Sequence, residues 1–137
     1  MGVRHEGREA AVQFFYQRDV GGAQSRSDLN DFYVFRGLSP AARRFCQQLA
    51  EGILQELSNI DALLIQHIHN YQLSRLSAVD RNVLRVAIYE MLYSPETPRA
   101  VIIDEAINIA KKYGSQESGG FVNGILDEIR RCLETSS

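Results

Sequence analysis

The strongest constraint on this chain is the spacing of apolar residues between Thr97 and Leu133, where two helical patterns are joined by a short glycine-containing turn. In the first pattern Ile102, Ile103, Ala106, Ile107, Ile109, Ala110 and Tyr113 recur at intervals of three and four, while Asp104, Glu105, Asn108, Lys111 and Lys112 take the other positions. Lys111 and Lys112 suit the negative end of a helix dipole, and Gly114 is expected to end the helix in a left-handed conformation. Ser115 or Ser118 is then placed to cap a second helix carrying Phe121, Val122, Ile125, Leu126, Ile129, Cys132 and Leu133 on one stripe. An antiparallel helical hairpin follows.

The same period governs the rest of the chain, and alternation of period two is hard to find, so the expected class is all-α. Residues 1–7 are polar and expected to fray. A helix from Arg8 to Val20 buries Ala11, Val12, Phe15 and Tyr16 and turns Glu9, Gln13 and Gln17 outward, with Gly21 and Gly22 ending it. A polar loop from Ala23 to Asn30 leads to Leu29, Phe32, Tyr33 and Phe35, an aromatic element expected to plug one end of the core. Ser39 and Pro40 start a helix bearing Phe45, Cys46, Leu49, Ile53, Leu54 and Leu57. The pattern resets at Ser58 and Asn59, giving a shorter helix through Ile60, Leu63, Leu64 and Ile68 that ends near Asn70. Ser77 and Asp80 open a central helix with Val83, Leu84, Ala87, Ile88, Met91 and Leu92, and Pro95 and Pro98 bracket the turn beyond it. The total is a bundle of about six or seven helices in one domain spanning residues 1–137.

Catalytic constellations are missing. His67 and His69 are two apart, which on a helix sends them in divergent directions, so no metal site is expected. Asp104 and Glu105 are adjacent and splay apart, poor geometry for an acid/base pair, and read as a solvated face with Asn108 and Lys112. Neither Gly21-Gly22 nor Gly119-Gly120 is followed by the Lys-Ser/Thr of a phosphate loop. No cofactor is called for. The formal charge of -2 gives no global reason for nucleic-acid binding, so any such contact must be local or shared with a partner. Cys46 and Cys132 each lie on an apolar stripe and are expected as buried thiols in a reducing compartment. No run approaches the ~20 apolar residues of a membrane span, and the expected location is cytoplasmic.

The runs DRNVLRVAIYEML and VIIDEAINIAKKYGSQESGGFVNGILDEI, with a weaker likeness in REAAVQFFYQ, resemble the NusB family of bacterial transcription antitermination factors. The combination of EAI-x-x-AK with FVNG at this spacing is specific. The resemblance implies a compact helical bundle that binds boxA-like single-stranded RNA together with NusE, a ribosomal small-subunit protein, within an RNA polymerase complex on ribosomal RNA. Monomer or weak homodimer is the implied state. By position it assigns RNA contact to Arg4, His5, Arg8 and Tyr16 near the N-terminus and to Glu117, Ser118 and Phe121 at the hairpin turn. Glycines 119 and 120 stand where the family has polar and basic residues, and Glu6 and Glu9 interrupt the basic segment. Asn123 is expected to fix the hairpin turn, and Gly124 to permit close helix approach. Asp80, Arg81, Arg85 and Glu90 are the expected contacts to the protein partner, with Arg85 also able to pair along its own helix. Two other functions are compatible: a protein-binding adaptor without RNA contact, and a stand-alone relative of the NusB-like domain of ribosomal RNA cytosine methyltransferases.

Overall fold

The computed structural model describes residues 2–21, 37–69 and 72–135, and among these it contains five α-helices, one 3₁₀ turn and no strand. They are α1 (Val3–Gly21), α2 (Pro40–His67), the 3₁₀ turn (Leu73–Arg75), α3 (Ala78–Tyr93), α4 (Arg99–Tyr113) and α5 (Ser118–Thr135). The all-α expectation holds. Among the described residues, the two helices anticipated on either side of Ser58 are one, α2, with a kink at Glu56, where φ −108° and ψ 15° leave helical geometry. It ends at His67 rather than near Asn70, and the aromatic element at Leu29 to Phe35 lies outside the described residues.

Local signals explain where the helices begin. Ser39 Oγ accepts from the Ala42 amide, and Pro40 occupies the first helical position of α2. Ser77 Oγ accepts from the Asp80 amide at the start of α3. The start of α1 departs from expectation. Residues 3–7 are helical because they are held: the Arg4 guanidinium lies 5.1 Å over the Phe45 ring and Gly7 packs directly on the backbone of α2.

α3 is the centre, touching each of the other four α-helices. Val83, Leu84, Ala87, Ile88 and Met91 meet Phe14 and Phe15 of α1, Ile53, Ile60 and Leu64 of α2, Ile102 and Ile109 of α4, and Val122, Leu126 and Ile129 of α5 in one apolar cluster. Phe14 and Phe15 are fully buried edge to face, 5.1 Å apart, and each contributes about 1.5–3 kcal/mol by leaving water. Phe14 replaces Tyr16 on the expected stripe, and Tyr16 is 41% exposed.

Three further expectations fail for reasons of packing. Gly114 is extended (φ −100°, ψ −162°), not left-handed, and is needed because a Cβ there would run into the Ser118 side chain and the Ala110 carbonyl. Gly124 faces open space; close approach occurs instead at Gly7, against the backbone of α2, and at Gly52, against the Tyr89 ring. Cys46 is buried as expected, but Cys132 is exposed, because α5 has buried its last core residue at Ile129 and runs on along the surface.

Candidate functional site

The N-terminal turn of α1 carries the residues expected to meet RNA, and most of them are engaged within the protein. Arg8 is 4% exposed; its Nε and Nη2 donate to the two oxygens of Glu90 at 2.7 and 2.9 Å, and Nη1 donates to Glu105 at 2.9 Å. A bidentate pair of this kind joins α1 to α3 and α4 from inside. Burial acts against the charge, but the two carboxylates outweigh it and raise the Arg8 pKa. Arg8 therefore has no face turned to a phosphate, and Glu90, 1% exposed, has none turned to a protein partner. Both assignments are corrected: the pair is a structural tie.

His5 stands between carboxylates, Nε2 2.9 Å from Glu9 and Nδ1 3.1 Å from Glu105. Glu9 is buried rather than outward, accepting from Tyr113 Oη at 2.8 Å and Lys112 Nζ at 3.1 Å. Burial alone would push the Glu9 carboxyl up, but the bonds from Tyr113, Lys112 and His5 hold it below the usual carboxylate range. Glu105 belongs to this cluster and not to a solvated face. Of the expected basic trio, only Arg4 remains exposed, its Nη1 3.3 Å from Thr97 Oγ1. Beside it a cleft of about 680 Å³ is lined by Gly2, Val3, His5, Glu6, Glu9, Asn108 and Lys112.

A second cluster sits at the start of α3. Asp19 Oδ2 accepts from Arg81 Nε at 2.8 Å, Arg85 Nη1 at 2.9 Å and Asn82 Nδ2 at 3.0 Å. Arg85 donates two further bonds of 2.9 Å to Asp61. Burial would raise the Asp19 carboxyl, yet these donors and charges hold it low. Arg85 is thus buried in bridges to α1 and α2, not exposed to a partner, and along its own helix it donates to Asn82 Oδ1 at 3.0 Å rather than pairing with Asp80 or Glu90. Arg81 Nη1 donates to the Leu73 and Leu76 carbonyls at 3.2 and 2.9 Å. Asp80 stays part-exposed, and its Oδ1 has no hydrogen-bond partner among the described residues. Its neighbour Val79 shares a cleft of about 310 Å³ with Val12, Gln13, Tyr16, Gln17 and Tyr113. The fold thus brings Tyr16 and the start of α3 to one place.

At the hairpin turn Glu117 is exposed, Phe121 half-buried and Ser118 buried, its Oγ accepting from the Ser115 amide. Asn123 lies on the exposed side of α5 and forms no hydrogen bond to the turn among the described residues, so the expected anchoring role is not seen. Elsewhere, His67 and His69 do not diverge. The helix ends at His67, and His69 takes φ +49°, which turns both rings onto Glu128 at 2.6 and 3.1 Å. No group of three or more potential ligands suited to a metal occurs among the described residues.

The ion-pair partners Asp19, Asp61 and Glu90 were not visible as such in the sequence, but one signal was present. Arg8, Arg85 and Glu90 each fall on an otherwise apolar stripe, where a charge must find an opposite charge to be buried.

Residues 5–131 match the profile of the NusB family. The Transcription antitermination protein NusB of Sorangium cellulosum is 41% identical over 133 residues, covering 97% of this chain and 95% of that protein. The chain belongs to the NusB family. The corresponding protein of Elusimicrobium minutum is 42% identical over 134 residues, covering 96% and 95%. Among solved structures, T. maritima NusB superposes with a TM-score of 0.81 at 38% identity over 93% of this chain and 90% of that one. A crystal structure of antitermination factors NusB and NusE with dsRNA shares the fold at TM-score 0.87 and 22% identity, covering 96% and 98%. No helix among the described residues is long and apolar enough to cross a membrane.

Proposed function

We propose that this chain is a cytoplasmic transcription antitermination factor without catalytic activity, which binds boxA-like RNA jointly with a NusE-type protein in an RNA polymerase complex. The observation that carries this reading is identity of about two in five residues with antitermination proteins over nearly the whole of both chains. The NusB-fold neighbour bound to NusE and RNA supports the choice of partners.

Within this proposal RNA contact falls to Arg4, Tyr16, Glu117, Phe121 and the first amides of α5, which can receive a phosphate. His5, Arg8 and Ser118 hold that surface in place. Partner contact centres on Asp80, the one member of its expected set that is part-exposed and in no ion pair among the described residues. A calorimetric titration with the NusE-type protein tests this. Asp80→Lys should weaken association about tenfold while leaving the far-ultraviolet spectrum unchanged, and equal binding would remove Asp80 from the interface. An adaptor that binds protein alone is the second reading, favoured by the internal pairing of His5, Arg8 and Lys112.

A further inference from the structure

The 15 lysines and arginines of this chain are unevenly placed: none occurs at positions 45–74 or 86–98. Those stretches form most of α2 and the second half of α3, two helices packed side by side. They carry Glu51, Glu56, Asp61, Glu90 and Glu96. Asp61 and Glu90 are answered from inside by Arg85 and Arg8, and Glu51 by Gln47. Glu56 and Glu96 have no cation opposite them among the described residues.

At the kink of α2 this acidic surface becomes a shaped notch. Gly52, one turn before Glu56, has no side chain to hold Tyr89 off, so the Tyr89 ring lies directly on the α2 backbone; a Cβ there would overlap the hydroxyl and ring. Tyr89 backs the ring of Tyr93, with centroids 5.1 Å apart and planes inclined by 39°. Tyr93 is 43% exposed despite this support. Its hydroxyl donates to Glu56 Oε1 at 2.8 Å, and Asn59 Nδ2 donates to the same oxygen at 2.9 Å. Both donors meet one oxygen, so the carboxylate is oriented while Oε2 has no protein donor among the described residues.

We propose that this notch of Tyr89, Tyr93 and Glu56 docks an arginine-bearing segment of a basic protein. A guanidinium is planar and weakly hydrated, so it can lie on the exposed Tyr93 ring while its edge donates to Glu56 Oε2. A lysine ammonium lacks the flat face, and a nucleic-acid backbone is repelled by carboxylates with no cation beside them. The negative potential is also felt by the phenols. Burial, then the charges of Glu56 and Glu90, raises the Tyr89 hydroxyl, and the bond to Glu56 raises that of Tyr93. This face is separate from the clusters at Arg8 and Asp19, so it is a surface additional to those assigned above.

The test is a magnetic-resonance titration of the full chain with an arginine-glycine repeat peptide, using the same peptide with citrulline for arginine as control. The expected result is weak binding that shifts the Tyr93 ring and the Asn59 side-chain amide, with no such shifts from the citrulline peptide. Glu56→Gln and Tyr93→Leu should each lower affinity about two- to fivefold, and Tyr93→Phe, which keeps the ring, should lower it less. If Tyr93→Leu does not fold, Glu56→Gln decides alone, since its side chain lies on the surface. The proposal is overturned if the shifts centre elsewhere or if Glu56→Gln binds as the parent does. It is equally overturned if a uridine decamer moves the same resonances more strongly, or if protein concentration alone moves them, which would make the occupant RNA or a second copy.

Discussion

Removing the Arg8 guanidinium would leave the Glu90 carboxylate buried without its bidentate partner. Breaking one side of such a pair costs about 3–5 kcal/mol, so Arg8→Ala should lower the midpoint of urea unfolding sharply, whereas Arg4→Ala, which loses only the contacts of an exposed side chain with Phe45 and Thr97, should cost no more than about 1 kcal/mol. Equal effects of the two would mean that Arg8 is not the tie described above. The acidic members of these clusters set the response to pH. Burial opposes ionisation of Asp19 and Glu9, but their donors win and both folded-state pKa values lie below the ordinary ones. A depressed carboxylate contributes stability that is fully present above the ordinary pKa and is lost as pH falls through the folded one, so thermal stability should hold above about pH 5 and decline below about pH 4. Asp19→Asn should flatten that decline. A parent profile flat to pH 3 would contradict it.

At the level of elements, the two serine caps are independent of function and easily checked. Ser39→Ala and Ser77→Ala should each cost about 1 kcal/mol in chemical unfolding, since each leaves a helix-terminal amide without its acceptor. Gly114→Ala should cost about 1–3 kcal/mol, because the new methyl meets the Ala110 carbonyl as well as the Ser118 side chain, which its bond to the Ser115 amide holds in place. These caps were legible in the sequence, as were the hairpin of α4 and α5 and the central position of α3, because capping and helical periodicity are local signals. What was not legible depended on neighbours. Nothing local distinguishes Phe14 from Tyr16 on an amphipathic helix, and the choice is made by what α2 and α3 present to it. The helical start at Val3 depends on Phe45 and Thr97, both distant in sequence. The site was misread for the same reason. Arg8, Arg85 and Glu90 look like surface charges by residue type, and the packing of the helices shows that Arg8 and Glu90 answer each other while Arg85 answers Asp19 and Asp61.

For the whole molecule, internal pairing limits what the chain can do to RNA by itself. With Arg8 and His5 committed to carboxylates, and glycines at positions 119 and 120, few phosphates can be neutralised and little counterion release is available. A second protein presenting its own contacts to the same strand would raise affinity without any change in this chain. The most direct measurement is fluorescence anisotropy of a labelled boxA-like RNA, titrated with this protein at several salt concentrations, alone and with a NusE-type protein. Weak binding and a shallow salt slope are expected for the isolated chain, with a rise in affinity of at least about tenfold when the partner is present. Tight binding by the chain alone with a steep salt slope, or no gain on adding the partner, would contradict these expectations.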